Sequence, residues 1–369
     1  MERNERYARH YTLPGFGEKG QNKLSNAKVL IIGAGGLGVP ALQYLAAAGV
    51  GTIGIVDHDH IELSNLQRQV LYSTEEIGLA KATTASKKMS QLNPDIKIIP
   101  YVLQLTVENA INLIKGFDMI LDCTDNFTTR YLLSDACRLL EKPLVFGAIY
   151  QYEGQLAVFN VADEVGIKTT YRHLFPTPPD PLYAPDCNDA GVLGVLPGII
   201  GTMQAAETIK HLTAIGQILN NKLMSINLLS YQTLLLDIPH TLPKGSAYPM
   251  SIAEFEATDY AYLCGVRSTE IQVIQPETFK QLYQQQDVLI LDVRNQDELP
   301  RLNLPHIQIP LPSLTGQLHL LDKPHIVIVC QSGIRSLKAA SILQEKIGDN
   351  HQISHLKGGV NALEKHKHE

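Results

Sequence analysis

Residues 29–38 and the acid that follows them have the types and spacing of a nucleotide site. An apolar segment, residues 29–32, leads into six residues of which four are glycine: Gly33, Gly35, Gly36 and Gly38. Glycine lets a backbone approach a phosphate, and a helix that begins there presents free N–H groups and its positive dipole end. Asp57 follows about 20 residues later, where a carboxylate can bond a ribose hydroxyl. These features predict nucleotide binding and leave an NAD-dependent enzyme as an alternative.

The polar residues after Asp57 favour ATP over NAD. Asn65 and Arg68 stand just beyond the ribose acid, and Lys81 follows. A dehydrogenase has no need of them, whereas attack of a carboxylate on the α-phosphate of ATP gathers negative charge that cations must neutralise. Arg68 and Lys81 are the candidate cations and Asn65 a candidate phosphate ligand, although Lys81 in isolation also fits a solvated helix residue. Asp125 is the candidate ligand for Mg²⁺, which binds through one or two carboxylates together with phosphate oxygens.

Alternating strand and helix patterns predict an α/β fold with a mostly parallel sheet for the first part of the chain. The predicted strands are residues 28–32, 52–56, 96–102, 119–122 and 144–146, and the predicted helices are residues 39–48 and 80–92. Ligands of open parallel sheets bind at the carboxyl ends of the strands. Gly33, Asp57, Asp125 and Gly147 all follow such strands, so we expect them to line one crevice.

Several segments, in order along residues 5–240, resemble the ubiquitin-activating-like adenylyltransferases of the MoeB/ThiF type. The resemblance implies a Rossmann-like fold, ATP with Mg²⁺, and a homodimer in which Arg9 reaches the partner subunit's site. It also implies that the substrate is the C-terminal Gly-Gly carboxylate of a small ubiquitin-like sulfur carrier, activated as an acyl-adenylate. The matching segments are Arg6-Tyr7-Ala8-Arg9, the glycine segment, Asp57-His58-Asp59, Ser64-Asn65-Leu66-Gln67-Arg68-Gln69, Gly78-Leu79-Ala80-Lys81-Ala82, Asp122-Cys123-Thr124-Asp125-Asn126 and residues 187–198.

The resemblance assigns the nucleotide site and a loop cysteine. Its ATP ligands are carried over, position by position, to the four glycines, Asp57, Asp59, Ser64, Asn65, Leu66, Gln67, Arg68, Lys81, Asp125 and Asn126. The family places a cysteine at Cys187 that can bond to the activated carrier, and an exposed loop thiol without a chemical role is the alternative. Cys123, beside Asp125, is expected to be a buried small residue rather than a nucleophile.

The chain departs from this family at its structural zinc site. The family holds zinc with two Cys-x-x-Cys pairs, which form a closed tetrahedral site. Here Thr170-Tyr171-Arg172-His173 replaces the first pair, and residues 228–251 contain no cysteine. We expect that the zinc is absent and that local packing replaces it.

A second cysteine site is predicted near the carboxyl end. Cys330 stands where a predicted strand, residues 324–329, meets a loop and a helix, residues 337–346, so that N–H groups and the helix dipole favour its thiolate. The segments Leu291-Asp292-Val293-Arg294, Cys330 to Ser336 and Lys357-Gly358-Gly359-Val360 resemble a rhodanese domain over residues 268–369. Phosphatase loops of the related type are one residue longer, so the resemblance favours a persulfide on Cys330 over phosphate. An inactive rhodanese used for docking is the alternative.

Together these features predict an ATP-dependent adenylyltransferase and sulfurtransferase of the molybdopterin-synthase type. The predicted domains are residues 1–245 for adenylylation, 246–267 for a linker that lets Cys330 travel, and 268–369 for the smaller α/β rhodanese domain. The partners are the carrier and a persulfide donor such as a cysteine desulfurase. Alternatives are activation of a thiamine or thiolation carrier, a conjugation factor acting through a Cys187 thioester, and a binding module. The fusion favours sulfur delivery, because conjugation needs no persulfide.

Composition bears on the possible partners and on the cellular compartment. The net charge is −6, which argues against nucleic-acid binding, because such binding needs a basic patch. No apolar run reaches the length of a membrane span, and the polar first residues are unlike a signal peptide. The five cysteines are scattered and odd in number, which favours a reducing cytoplasm over a disulfide framework.

Overall fold

The computed structural model describes residues 5–178, 191–243, 248–264, 271–283, 285–348 and 350–365. They form two units, which divide after Tyr260. Cys187 lies outside the described residues. In the part of the chain that is described, no helix is both long enough and apolar enough to cross a bilayer.

An eight-stranded sheet organises the first unit. Its spatial order is β3-β2-β1-β4-β5-β6-β7-β8. The pairs from β3 to β5 are parallel and the later pairs antiparallel. The strands are β1 (Lys28–Ile32), β2 (Thr52–Val56), β3 (Lys97–Tyr101), β4 (Met119–Asp122), β5 (Leu144–Tyr150), β6 (Glu153–Phe159), β7 (Lys222–Asn227) and β8 (Gln232–Asp237). The predicted α/β class with a mostly parallel sheet is confirmed.

Helices connect and cover these strands. Strand β1 is buried along four of its five residues, as expected for a parallel strand with both faces covered. The chain leaves β1 for β2 on one side and reaches β4 on the other, which makes the end of β1 a topological switch point. The helices are α1 (Ala8–Tyr11), α2 (Gly17–Asn26), α3 (Gly38–Ala48), α4 (Lys81–Leu92), α5 (Val107–Ile114), α6 (Phe127–Leu139), α7 (Tyr171–Leu174), α8 (Val195–Thr213), α9 (Ile252–Glu256) and α10 (Tyr260–Leu263).

The sequence pattern located the buried strands more accurately than the half-exposed ones. Strands β1, β2 and β4 have the predicted bounds. Strand β5 was expected to end at residue 146 but continues to Tyr150, where it turns directly into β6. Its last three residues are partly or fully exposed, so the apolar run that marked the strand ends before the hydrogen bonding does.

The second unit contains a five-stranded parallel sheet of order β11-β10-β12-β13-β9. Ile326 and Ile328 of β12 pack into one apolar cluster and Val327 and Val329 into another, because successive strand residues face opposite sides of a sheet. The strands are β9 (Gln272–Ile274), β10 (Val288–Asp292), β11 (Ile307–Gln308), β12 (His325–Val329) and β13 (Gln352–Leu356), with helices α11 (Pro276–Leu282), α12 (Ile334–Ile347) and α13 (Gly359–Lys365).

A buried polar network stands where the zinc-binding segment of the family would lie. The guanidinium of Arg172 donates to both carboxylate oxygens of Asp135 at 2.8 Å. The hydroxyl of Tyr260 donates to the same carboxylate at 2.9 Å. Tyr171 packs among aromatic rings, including that of Tyr131 at 5.1 Å. Charge pairing and ring packing therefore hold this region together.

Part of the predicted linker is anchored by this network. Phe255 of α9 is fully buried and Tyr260 nearly so. Arg138 of α6 donates to the carbonyl of Pro249 and lies over the ring of Tyr248 at 4.5 Å. Residues 248–260 are thus fixed to the first unit by apolar burial and by hydrogen bonds to charged groups.

Replacement of Arg172 by leucine should destabilise the first unit by about 3–5 kcal/mol, because Asp135 would remain buried without its cation. Urea unfolding measures this loss. The control is Lys168→Leu, which removes a cation from an exposed pair with Glu141 at 3.6 Å and should cost under about 1 kcal/mol. Equal, small losses in both variants would contradict the stabilising role of the network.

Candidate active site

A cavity of about 800 Å³ opens at the carboxyl ends of β1, β2 and β4. Its size suits a nucleotide-sized ligand. The predicted site residues that line it are Gly33, Gly35, Gly36, Asp57, Asp59, Asn65, Gln67, Arg68, Lys81, Asp125 and Asn126. Gly38, Ser64 and Leu66 are not among the lining residues. The sheet therefore gathers most of the predicted ligands, from three separate connections, into one cleft.

Two glycines make the turn after β1 possible. Gly33 has a φ of +101°, and a Cβ at this position would lie 2.6 Å from the carbonyl oxygen of Cys123. A Cβ on Gly38 would overlap the carbonyl of Gly33. Gly38 begins α3 and shapes the turn from behind, whereas Gly35 and Gly36 present backbone to the cleft.

Asp57 ties the end of β2 to this turn. One of its carboxylate oxygens accepts the N–H of Ala34 at 2.7 Å, and the other accepts the N–H of Asp59 at 2.8 Å. Burial raises the pKa of Asp57, while these bonds and nearby Lys81 oppose the shift. The carboxylate thus orients the glycine segment, and its contact with a ribose stays a prediction.

Lys81 is a buried cation rather than a solvated helix residue. Its side chain is 7% exposed, and Nζ lies 3.0 Å from a carboxylate oxygen of Asp59. Arg68 is half-buried and donates to the carbonyl of Ser64 at 3.2 Å. Asn65 is buried, and its side-chain oxygen accepts the N–H of Glu62 at 3.3 Å. Two cations with partly fixed positions therefore face the same cavity.

The end of β4 supplies two polar residues with different local roles. Asn126 caps α6, because its side-chain oxygen accepts the N–H of Thr129 at 2.8 Å. Asp125 is exposed in the cleft and, within the described chain, has no ion-pair partner. An accessible carboxylate of this kind suits Mg²⁺, a hard cation that takes oxygen ligands.

Arg130 is a cleft residue that sequence reasoning missed. Its Nη2 donates to the carbonyl of Thr124 at 2.7 Å, and its Nε lies 3.6 Å from a carboxylate oxygen of Asp122. Burial raises the pKa of Asp122, and the charge of Arg130 opposes that shift. The signal was present in the sequence, since position 130 lies one helical turn after the Asn126 cap and faces back toward the cleft.

Two other predicted positions lie outside the cleft. Arg9 is exposed on α1 and does not line the cavity of its own chain. Gly147 was expected in the crevice, but this is wrong, because a Cβ there would lie 2.5 Å from Gln204 of α8. Gly147 lies inside β5, and Gln204 covers this part of the strand and donates to the carbonyl of Asp122 at 2.7 Å. Cys123 is buried as predicted, and burial raises the pKa of its thiol.

Cys330 lies in a structured loop of the second unit. The N–H of Gly333 donates to its Sγ at 3.1 Å, and Gly333 adopts a φ of +93° before α12. Arg335 forms two contacts of 2.6 Å with Glu298, and Arg294 donates to Gln331 of the loop at 2.9 Å. Cys330 is fully buried. A sulfur donor therefore reaches Sγ only when part of this loop moves.

Two models of known protein families match this chain, one over each site. The model of the ThiF family matches residues 7–245. The chain belongs to the ThiF family. A rhodanese-like domain matches residues 275–366 of this ThiF-family protein. The first match covers the cleft, and the second covers the Cys330 loop.

Similar proteins are named as adenylyltransferases, and some of them also as sulfurtransferases. The ThiF-family protein is 46% identical over 269 residues to a Thermus thermophilus sulfur carrier protein adenylyltransferase, covering 72% of this chain and 98% of that one. It is 38% identical to the adenylyltransferase/sulfurtransferase MoeZ of Mycobacterium tuberculosis, covering 98% and 92%, and to MOCS3 of Drosophila grimshawi, covering 97% and 83%. A structure of E. coli MccB with ATP superimposes with a TM-score of 0.54 at 21% identity, over 64% of this chain and 73% of that chain, which shows the fold alone.

Replacement of Gly33 by alanine should destabilise the first unit and abolish ATP binding, since the new Cβ meets the Cys123 carbonyl. Gly78→Ala is a matched control, because Gly78 also has a positive φ, +88°, but open space around it. It should show only backbone strain of about 1–2 kcal/mol. Urea unfolding and calorimetric titration with ATP test both variants. An equal loss would show that strain, and not the close approach to Cys123, explains the glycine.

Proposed function

We propose that this ThiF-family protein adenylylates the C-terminal glycine of a ubiquitin-like sulfur carrier of the molybdopterin-synthase small-subunit type and then converts the adenylate into a thiocarboxylate. The observation that carries the proposal is that one chain combines a cleft containing Arg68, Lys81 and Asp125 with a cysteine loop of rhodanese type. The relatives named as adenylyltransferase and sulfurtransferase support the same pairing.

In the first reaction, the carrier carboxylate attacks the α-phosphorus of ATP and pyrophosphate leaves. The glycine turn lets the backbone approach the phosphates. Lys81 holds one donor on Asp59 and retains others for phosphate oxygens. Because Asp59 fixes Lys81 beforehand, little reorganisation is needed when charge develops on the leaving group. Arg68 and Asn65 bind the phosphates from the same segment.

Asp125 is the residue that would hold Mg²⁺, and the metal would supply positive charge at the phosphate oxygens. Arg130 supports this position, because it binds the carbonyl of Thr124, the residue before Asp125. Arg130 is therefore a positioning residue for the Asp125 turn.

In the second reaction, the terminal sulfur of a Cys330 persulfide attacks the acyl carbon of the adenylate, and AMP leaves. The carrier is then joined to Cys330 through an S–S bond. A thiolate, for which Cys187 is the candidate, attacks Cys330 Sγ and breaks that bond, so that the carrier leaves as its thiocarboxylate. The Cys187–Cys330 disulfide that results is reduced by a cellular dithiol. A persulfide-forming enzyme such as a cysteine desulfurase supplies the sulfur. The protein acts as a cytoplasmic homodimer, in which the exposed Arg9 completes the partner subunit's cleft. The Arg172–Asp135–Tyr260 network takes the place of the family's zinc.

The rhodanese-like domain favours some of the alternative functions over others. Activation of a thiamine or thiolation carrier uses the same two reactions with a different carrier protein. A conjugation factor acting through a Cys187 thioester needs no persulfide, so the Cys330 loop disfavours it. A binding module without chemistry has no need of two cations and an accessible carboxylate in one cleft, so the convergence of Arg68, Lys81 and Asp125 disfavours it.

Replacement of Asp125 by alanine should abolish carrier-dependent exchange of pyrophosphate into ATP, because the phosphates lose their metal ligand. Arg68→Ala should slow exchange roughly 100-fold, which corresponds to about 3 kcal/mol of transition-state stabilisation. Asp95→Ala, which removes an exposed acid outside the cleft, is the control. Exchange at the normal rate in the Asp125 variant would rule out the metal assignment.

The two units should separate functionally. Cys330→Ala should retain pyrophosphate exchange and lose both thiosulfate sulfurtransferase activity and thiocarboxylate formation. Asp125→Ala should lose pyrophosphate exchange and, with it, thiocarboxylate formation, whereas its thiosulfate sulfurtransferase activity should stay intact. Mass spectrometry of the carrier after a single turnover follows the product, since sulfur in place of oxygen adds about 16 Da to the native mass. Normal thiocarboxylate formation by the Cys330 variant, with a persulfide donor and no free sulfide, would exclude the two-unit mechanism.

A further inference from the structure

A serine and a histidine lie behind the sulfur of Cys330. The Oγ of Ser336, in the first turn of α12, is 3.5 Å from Cys330 Sγ. The same Oγ is 3.4 Å from Nδ1 of His355 on β13. Cys330 and Ser336 are fully buried, and His355 is 6% exposed. The three side chains therefore form a continuous polar path from the thiol into the sheet.

The chemistry of a buried thiol needs such a path. A thiolate, not a thiol, attacks sulfur, so the proton of Cys330 has to leave before sulfur is loaded. While the loop is closed, water does not reach Cys330 Sγ, because the residue is fully buried, so a proton that leaves before the loop opens has to pass to a neighbouring side chain. The hydroxyl of Ser336 donates to the Gly333 carbonyl at 3.0 Å, and Nδ1 of His355 lies 3.4 Å from the same Oγ. Rotation of the hydroxyl turns its proton from one acceptor to the other, and Oγ can then accept the thiol proton.

His355 is in the state that can accept a proton at neutral pH. Burial lowers its pKa, so the ring is neutral, and Nδ1 is an acceptor when Nε2 carries the hydrogen. Its register partners on the neighbouring strands are the apolar residues Ile328 and Val273. From α12 the group that reaches it is the Ser336 hydroxyl. Nothing charged on these neighbours competes for Nδ1.

The two arginines near Cys330, one in the first turn of α12 and one after β10, are each bound to other side chains. Arg335 is held by Glu298 through two contacts of 2.6 Å. Arg294 is bound to Asp292 at 2.8 Å and to Gln331 at 2.9 Å. A guanidinium cannot accept a proton, and these partners largely compensate its positive charge, so the proton of Cys330 has to pass to another group.

We infer that Ser336 and His355 relay the proton of Cys330 when the cysteine is loaded with sulfur from a persulfide. This rests on the sulfurtransferase function proposed above. The thiol proton passes to Ser336, whose own proton passes to Nδ1 of His355. The thiolate then attacks the outer sulfur of the donor persulfide, and the donor's S–S bond breaks. The departing donor thiolate takes the proton from His355, so that a thiol and a Cys330 persulfide result without net oxidation. His355 acts through Ser336 and is a positioning residue.

The test measures ionisation of Cys330 in the full-length protein without sulfur transfer. Alkylation of Cys330 by iodoacetamide is followed by peptide mass spectrometry from pH 5 to pH 10. The rate at the alkaline plateau reports access to the sulfur, and the midpoint reports its ionisation. His355→Asn keeps a hydrogen-bonding partner for Ser336 but cannot accept a proton, and Ser336→Ala interrupts the path.

Both variants should raise the midpoint by about one pH unit, which means roughly tenfold less thiolate at neutral pH. Ser336→Thr keeps the hydroxyl and should restore the wild-type profile. His325→Asn is the matched control: His325 also bonds a serine, Ser354, at 2.8 Å, but at the opposite end of β12 from Cys330. It should leave the profile unchanged.

A wild-type profile in folded His355→Asn protein would overturn the relay, whatever the sulfurtransferase activity is. If His355→Asn does not fold, Ser336→Ala with an unchanged midpoint would overturn it equally. A shifted midpoint in both variants, together with wild-type protein that transfers no sulfur from glutathione persulfide, would support the relay and reject the proposed sulfurtransferase function.

Discussion

The close approach of the turn after β1 to the end of β4 is the constraint on which the nucleotide cleft depends. Gly33 can sit against the Cys123 carbonyl only because it has no side chain and tolerates a φ of +101°. This contact brings the glycine turn beside Asp125, and Asp57 holds the turn from the other side through the N–H of Ala34. The distance between the phosphate-binding backbone and the candidate metal ligand is therefore set by backbone packing, which alters far less readily than side-chain rotamers.

Charge pairs that contain a buried cation then determine what the cleft can do. Lys81 with Asp59 and Arg130 with Asp122 hold cations at the cavity in fixed places. Pairs of this kind add little to stability, since the loss of hydration offsets much of the attraction. Their value lies in preorganisation, because donors that are already oriented stabilise developing charge without a further cost. Neither Arg172 nor Asp135 lines the cavity, and their pair serves instead to hold residues 248–260 in place.

The sequence predicted strand bounds and cleft residues correctly where they depend on residues close together in the chain. Continuous apolar runs gave the bounds of β1, β2 and β4, because both faces of these strands are covered. Gly33, Asp57 and Asp125 line the cleft because they stand directly after parallel strands, whereas Asn65, Arg68 and Lys81 reach it from the connection between β2 and the start of α4. Gly147 was expected to follow a strand, but it lies within β5 beneath Gln204 of α8, and nothing in the local pattern indicates which part of a strand a distant helix will cover.

The sequence by itself determined the α/β class, the family, and the residue types that chemistry requires, since glycine turns, caps and strand-end acids act through neighbours in the chain. Only the tertiary structure decided which charges are paired. Arg130 turned out to be a cleft residue, Lys81 to be bound to Asp59, and His355 of β13 to stand behind Cys330, which follows β12. Pairing depends on how strands register and how helices cover them, and the interactions that set this register join residues far apart in sequence.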